Sequence, residues 1–198
     1  PQLINVYKGK TSLDDLVEEL SDEEMIHLCC GQPNRGPANT FGFGNLPEYG
    51  IPNIMTADGP AGVRINKEWN RPTTAWPCAT LIACTWDTDI MEQIGRAGGA
   101  EAKENDLQVW LTPALNIHRT PLCGRNFEYY SEDPFLTGSL ATALTRGVQQ
   151  EEGFYVTVKH FACNNQEDNR MHVSSNVSQR ALREIYLRAF WKTVEEGG

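Results

Sequence analysis

Asp58, Arg64, Arg125, Lys159, His160 and Arg170 are the residues of this 198-residue chain whose types, taken together, suit one chemistry. A carboxylate such as Asp58 can accept hydrogen bonds from two adjacent hydroxyl groups, while guanidinium, ammonium and imidazole groups donate to others. The set therefore reads as a grip for a polyol. A phosphate site is the rival reading for so many cations, but no Gly-rich loop opening a helix accompanies them. Trp69, Trp76 and Trp110 offer flat faces on which a sugar ring would stack, a role that competes with ordinary core packing.

These residues are far apart in sequence, so the grip exists only if the intervening elements bring them together. The run Ile51 to Thr56 reads as a short strand that delivers Asp58-Gly59-Pro60 and Arg64 at its end. Ala79 to Cys84 is a second apolar run, followed by a helix capped at Asp87 or Thr88 and reaching about Glu104. Val109 to Leu115 is the third strand. It opens the polar loop that carries Asn116, His118, Arg119, Arg125, Asn126, Glu128, Glu132 and Asp133, with Phe127, Tyr129 and Tyr130 among them. A solvated linker seldom needs those aromatic residues. Pro134 to Gln150 is the next helix, capped from Ser131, Glu132 or Asp133 and stopped at Gly153. Tyr155 to Val158 is the fourth strand, ending in Lys159-His160-Phe161. Ser178 to Glu196 is a final amphipathic helix with Leu182, Ile185, Ala189, Phe190 and Val194 on its inner side.

Strand and helix thus alternate four times, the pattern of βαβ units and a parallel sheet. In such sheets ligands gather beyond the strand C-termini, which places Asp58, Arg64, Arg125, Lys159, His160, Glu167 and Arg170 on one rim. Lys159 and His160 are neighbours, so on a continuing strand they would point to opposite faces. The expected fold class is α/β, a partial (β/α)8 TIM-like barrel of about the first four βα units. Residues 1–50 form a helical preface and an irregular loop, and residues 51–198 the first half of the barrel. In the preface, Leu13, Leu16, Val17 and Leu20 have helical spacing, and Ser21 with Glu24 forms a capping box. Gln32 to Gly50 is rich in Gly, Pro and Asn and reads as loop. Half a barrel leaves strand edges unpaired, so a fragment, or one chain of something that completes it, is expected. Gly95, Gly98 and Gly99 lie inside a helical pattern without GxGxxG spacing, which favours close helix packing over a nucleotide site.

Composition removes other classes. The net charge is -9 and the pI about 4.9, with no block of Lys or Arg, so neither nucleic acid nor anionic membrane is an expected partner. No apolar run approaches a membrane span, and PQLINVYKGK lacks the hydrophobic region of a signal peptide. Six cysteines show no CxxC pair or zinc-site spacing, so no metal is expected; they read as mostly buried thiols in a reducing, cytoplasmic compartment. Asn176-Val177-Ser178 matches a glycosylation sequon, which means nothing in that compartment.

Five linked motifs carry a resemblance. Asp58-Gly59-Pro60 with Arg64, Asn116-Ile117-His118-Arg119, Gly124-Arg125-Asn126-Phe127-Glu128 with Ser131-Glu132-Asp133-Pro134, Lys159-His160-Phe161 with Asn164-Asn165-Gln166-Glu167 and Asn169-Arg170, and Arg180-Ala181-Leu182-Arg183-Glu184-Ile185-Tyr186 resemble the N-terminal barrel of glycoside hydrolase family 3. The match runs from about Asp58 to Phe190 and fits the β-glucosidase branch. Ala162-Cys163-Asn164-Asn165 stands where the N-acetylglucosaminidase branch has Pro-Gly-His-Gly. The opening segment resembles a bacterial subgroup with reversed domain order.

The resemblance implies a retaining hydrolase that removes terminal non-reducing β-D-glucosyl or similar residues through a covalent glycosyl intermediate, without a cofactor. It implies that Asp58 fixes the outer hydroxyls of the sugar and that Arg64, Arg125, Lys159, His160 and Arg170 are its other polar contacts. It also implies an absence. The family's nucleophile is an Asp in a Ser-Asp-Trp-like motif on a later strand, expected beyond Gly198, and the acid/base comes from another region. Glu128, Glu132 and Glu167 are carboxylates that fit ion-pair or capping roles at least as well. The implied partners are a β-glucoside or short β-linked oligosaccharide and the remainder of the enzyme, the second half of the barrel and a further domain. A non-catalytic carbohydrate-binding or dimerising half-barrel module is the alternative.

Overall fold

A computed structural model describes residues 2–198. Three short helices come first: α1 (Leu3–Tyr7), α2 (Leu13–Glu18) and α3 (Asp22–Leu28). Capping boxes open the latter two: the Ser12 and Ser21 hydroxyls accept from the N3 amides, while Asp15 and Glu24 reach back to the cap N–H groups. The stretch expected to be loop, Gln32 to Gly50, contains a strand. β1 (Phe43–Leu46) pairs antiparallel with β2 (Ile51–Ile54) around a Pro47–Tyr49 turn closed by left-handed Gly50. The hairpin thus straddles residue 50, where preface and barrel were expected to divide. The expected first strand splits accordingly. Its N-terminal part joins the hairpin, and β3 (Thr56–Ala57) alone enters the parallel sheet.

That sheet has the order β3-β4-β5, all parallel, with β4 at Val109–Trp110 and β5 at Tyr155–Val156. Pairing of β4 with the chain after β5 resumes at the Ala114–Lys159 bridge, where Leu115 N donates to Lys159 O at 2.6 Å. Pro113, which has no N–H to give, sits at the interruption. The run Ala79 to Cys84 is not a strand. Residues Ala79–Ala83 form helix α4, with Ala79, Ile82 and Ala83 buried and Leu81 exposed, the i, i+3, i+4 pattern of a one-sided helix. Three parallel strands, not four, therefore precede the final helices. A six-residue apolar run is too short for period alone to separate strand from buried helix.

The long helices cover one side of the sheet. α5 (Thr88–Glu104) is capped by Asp87, and α6 (Pro134–Val148) by Asp133. α5 packs on α6, and α6 on α8 (Arg188–Glu196). The glycines of α5 are contact points. A Cβ on Gly95 would lie 2.3 Å from the Leu144 carbonyl oxygen, and one on Gly98 2.2 Å from the Trp110 ring. No nucleotide could approach that face. Before α8, the short helix α7 (Gln179–Ala181) runs into a wide turn at Leu182–Tyr186, which changes the helical phase. The buried face of α8 is Ala189, Phe190 and Thr193; Val194, expected inside, is 71% exposed and flanks an apolar groove with Phe190.

The core has two main parts. One joins α4, α5, α6 and α8 around Met91, Leu115, Leu140, Leu144 and Phe190. The other lies under β3 and β4 around Met55, Ala57, Val63, Leu107, Trp110 and Val148. The cysteines depart from expectation. All six are free thiols, but Cys123 alone is buried and Cys29, Cys30 and Cys84 are exposed. No helix among the described residues is long and apolar enough to cross a membrane.

Candidate active site

The site is built where β3, β4 and β5 end. Asp58 is the first residue after β3. Its main-chain N–H donates to Asn39 Oδ1 at 2.9 Å, and its carbonyl accepts from Arg64 N at 3.0 Å, which folds 58–64 into a tight loop. Gly59 has φ +103°, and a Cβ there would stand 2.4 Å from the Gly62 carbonyl oxygen. Only glycine fits that position. Trp110 stabilises the loop from below, its indole N–H donating to Gly59 O at 2.9 Å.

From the far edge of the sheet, Lys159 Nζ reaches Asp58 Oδ1 at 2.7 Å, and Arg64 Nη1 stands 3.6 Å from Oδ2. Burial, the largest single influence, pushes the Asp58 carboxyl up. The hydrogen bond and charge of Lys159, the Gly59 N–H and Arg64 together outweigh it and hold the carboxyl below the usual range. Asp58 is thus an ionised acceptor at neutral pH.

The strand has ended by His160, and the Lys159–His160 peptide is cis. Both side chains serve the same rim. Asn116, buried in the loop after β4, clamps the His160 backbone, accepting from its N–H and donating to its carbonyl at 2.9 Å each. Burial, then the charges of Arg125 and Lys159, lower the His160 pKa to about 4, against the upward pull of Glu167. The ring is neutral at pH 7. Arg125 pairs with Glu128, and Arg170 Nη1 with Glu167 Oε2 at 2.9 Å. Desolvation lowers the Arg125 pKa, but Glu128 more than offsets it and the guanidinium stays charged. Beside these groups opens a cleft of about 640 Å³ lined by Arg125, His160, Asn164, Arg170 and Tyr186 among others.

The six residues expected in the grip therefore meet at one rim, Asp58, Arg64 and Lys159 in direct contact and Arg125, His160 and Arg170 around the cleft. The three tryptophans do not join them as stacking faces. Trp110 is buried core, Trp76 packs partly buried against both core clusters, and Trp69 carries Arg71 over its ring at 5.3 Å. Asn116, Tyr129 and Asn164 are the site members that residue types did not single out. Asn116 and Asn164 lie in two of the motifs and Tyr129 just after a third, but nothing in their types separates a neutral amide or phenol that holds a site together from an ordinary loop residue. Among the described residues no group of three or more His, Cys, Asp or Glu side chains stands close enough to share a metal ion.

The fold is thus α/β, with parallel strands feeding a rim that carries the ionised Asp58 carboxylate, surrounding donors and a neutral imidazole. Residues 45–198 match the glycosyl hydrolase family 3 N terminal domain, and the chain belongs to that family. It is 57% identical over 195 residues to Beta-glucosidase A of Butyrivibrio fibrisolvens, covering 98% of this chain and 23% of that protein. Thermostable beta-glucosidase B of Acetivibrio thermocellus is 39% identical over 91% of this chain and 24% of its own. Among solved structures, a beta-glucosidase from Paenibacillus barengoltzii superposes with TM-score 0.93 at 46% identity, covering 99% of this chain and 22% of that one. Beta-glucosidase 3B from Thermotoga neapolitana in complex with glucose gives TM-score 0.85 at 43% identity, over 93% and 28%. The chain thus spans less than a third of the length of each of these relatives.

Proposed function

We propose that this chain supplies the sugar-binding part of a retaining β-glucosidase site, acting on terminal β-D-glucosyl groups of a β-glucoside or short β-linked oligosaccharide. The observation that carries the reading is the Lys159-held Asp58 carboxylate at the strand ends, in a family whose relatives are named beta-glucosidases. Asp58 accepts from sugar hydroxyls; Arg64, Arg125, Lys159, His160 and Arg170 donate around it. Such contacts tighten as the ring flattens toward an oxocarbenium ion, which is how binding groups lower a barrier without touching the bond that breaks.

A retaining mechanism also needs a nucleophile and an acid/base about 5–5.5 Å apart. No residue of this chain is assigned to either role: Asp58, Glu128 and Glu167 are each held by a cation, and Glu132 lines a separate hollow with Trp86 and Tyr130. Those groups come in this reading from the remainder of the enzyme. Free thiols at the surface support a reducing, cytoplasmic setting.

The test is Asp58→Asn in the full-length protein, assayed on an aryl β-glucoside. Loss of two charge-assisted hydrogen bonds at about 1.5–3 kcal/mol each predicts a fall in kcat/KM of about 10² to 10⁴. Unchanged kcat/KM would remove Asp58 from the site. The 198-residue chain alone is expected to show no turnover, and turnover abolished by Glu128→Gln or Glu167→Gln would place the chemistry inside it.

A further inference from the structure

Tyr129 has no exposed surface, yet its hydroxyl stands between two site residues. Asn164 Nδ2 lies 2.8 Å from Tyr129 Oη and 2.8 Å from Glu167 Oε1, and His160 Nδ1 lies 3.4 Å from the same hydroxyl. The direction of each hydrogen bond follows from what each group can give. Glu167, paired with Arg170, accepts only, so the Asn164 atom facing it is the amide nitrogen. The second amide hydrogen goes to the Tyr129 oxygen. Tyr129 then has its own hydrogen to donate, and His160 Nδ1 is the acceptor within reach. Asn116 Oδ1 also stands 3.4 Å from Nδ1 and already accepts from the His160 main-chain N–H at 2.9 Å; a proton on Nδ1 directed at it would leave the Tyr129 hydrogen with no acceptor among the described residues. The other ring nitrogen, Nε2, makes no hydrogen bond among the described residues, and the ring lines the cleft.

We propose that Tyr129 is the positioning residue that sets the tautomer of His160, keeping the ring proton on Nε2 so that His160 presents an N–H donor to a hydroxyl of the bound sugar. The sequence of donors runs Asn164 to Tyr129 to His160, oriented at its start by the Glu167 carboxylate that Arg170 holds. Burial keeps each member in the needed state: Tyr129 is pushed up to about 12 and stays a phenol. His160 stays neutral at pH 7, so one ring nitrogen must be bare. With the opposite tautomer Nε2 would be an acceptor, duplicating Asp58 and removing one donor from the grip. The ligand in this inference rests on the sugar-binding reading above; the position of the proton does not.

Neutron diffraction of the full-length protein at pH 7 is expected to show the exchangeable hydrogen on Nε2, and to show it on Nδ1 in a substantial fraction of Tyr129→Phe molecules. The Phe ring keeps the core filled, so the variant folds. In the hydrolysis of an aryl β-glucoside, Tyr129→Phe is expected to lower kcat/KM about tenfold, the scale of one hydrogen bond. In a His160→Gln background, where an amide N–H replaces the ring and has no tautomer to set, the same change is expected to cost less than about twofold. A hydrogen on Nδ1 in the wild type, or equal losses in both backgrounds, would overturn the proposal. If the wild type hydrolyses no β-glucoside, the proposed function fails while the diffraction result still decides the tautomer.

Discussion

Asp58 and His160 are both partly desolvated, and Lys159 pushes both in useful directions, Asp58 to its charged form with the help of Arg64 and His160, already disfavoured as a cation by burial, to its neutral one with the help of Arg125. The two respond to acid in different windows. His160 has a folded pKa of about 4 against about 6.5 in an unfolded chain, so the unfolded state takes up the proton first. Its contribution to stability is complete above pH 6.5 and is lost as the pH falls toward 4. Asp58, whose folded pKa lies below the 3.8 of an ordinary aspartate, loses its contribution only as the pH falls through that still lower range. Lowering the pH from 7 to 5 should therefore reduce the urea midpoint of the wild type more than that of His160→Gln; equal slopes would show that His160 is not held neutral by the fold. At this scale the sequence was informative about charged residues. Asp58, Arg64, Arg125, Lys159, His160 and Arg170 could be named because polyol chemistry demands their types. Asn116 and Tyr129 could not, because their function lies in whom they touch.

Helix α5 meets α6 at glycines, and the contact is backbone on backbone. A Cβ on Gly147 would lie 2.2 Å from the Glu92 carbonyl oxygen and 2.9 Å from the Arg96 amide nitrogen. Neither helix can yield there without moving as a unit. Gly147→Ala is thus expected to destabilise the protein by about 3 kcal/mol, the upper part of the overpacking range, and to lower the thermal midpoint by several degrees. A midpoint within one degree of the wild type would mean that the helices sit farther apart. The positions of α5 and α6 were legible because Asp87, Asp133 and Pro134 announce their starts and their apolar spacing is long enough to show a period. α4 was not, since five residues span little more than one helical turn. β1 was hidden by its glycine-rich setting, where pairing with β2 overrides local preference. Val194 shares the face of Phe190 at i, i+4, and it is exposed because that face runs out over an open apolar groove, which spacing along one helix does not reveal.

At the scale of the whole molecule, the antiparallel β1-β2 hairpin stands beside a three-stranded parallel sheet that is open at both edges and packed by α5 and α6. Beside the β5 end, Val158, Phe161, Leu187, Phe190, Trp191 and Val194 line an apolar groove of about 540 Å³. Exposed apolar surface next to an open strand is a surface for association. Trp191→Glu is expected to make the 198-residue chain more soluble, measured by light scattering, and to lower the thermal midpoint of the full-length protein. A change in the same favourable direction in both would show that nothing covers this groove. The alternation of strand and helix disclosed this architecture, while the number of strands did not follow from it, because an apolar run does not say which element it becomes. The buried indole of Trp110 has an optical consequence. It is shielded from solvent and donates its N–H to Gly59, next to Asp58, whereas Trp86 is 72% exposed and Trp191 52%. Iodide should therefore quench only part of the tryptophan emission. The protected, blue-shifted remainder should report on the loop that carries the carboxylate, giving a fluorescence signal for any ligand that moves that loop.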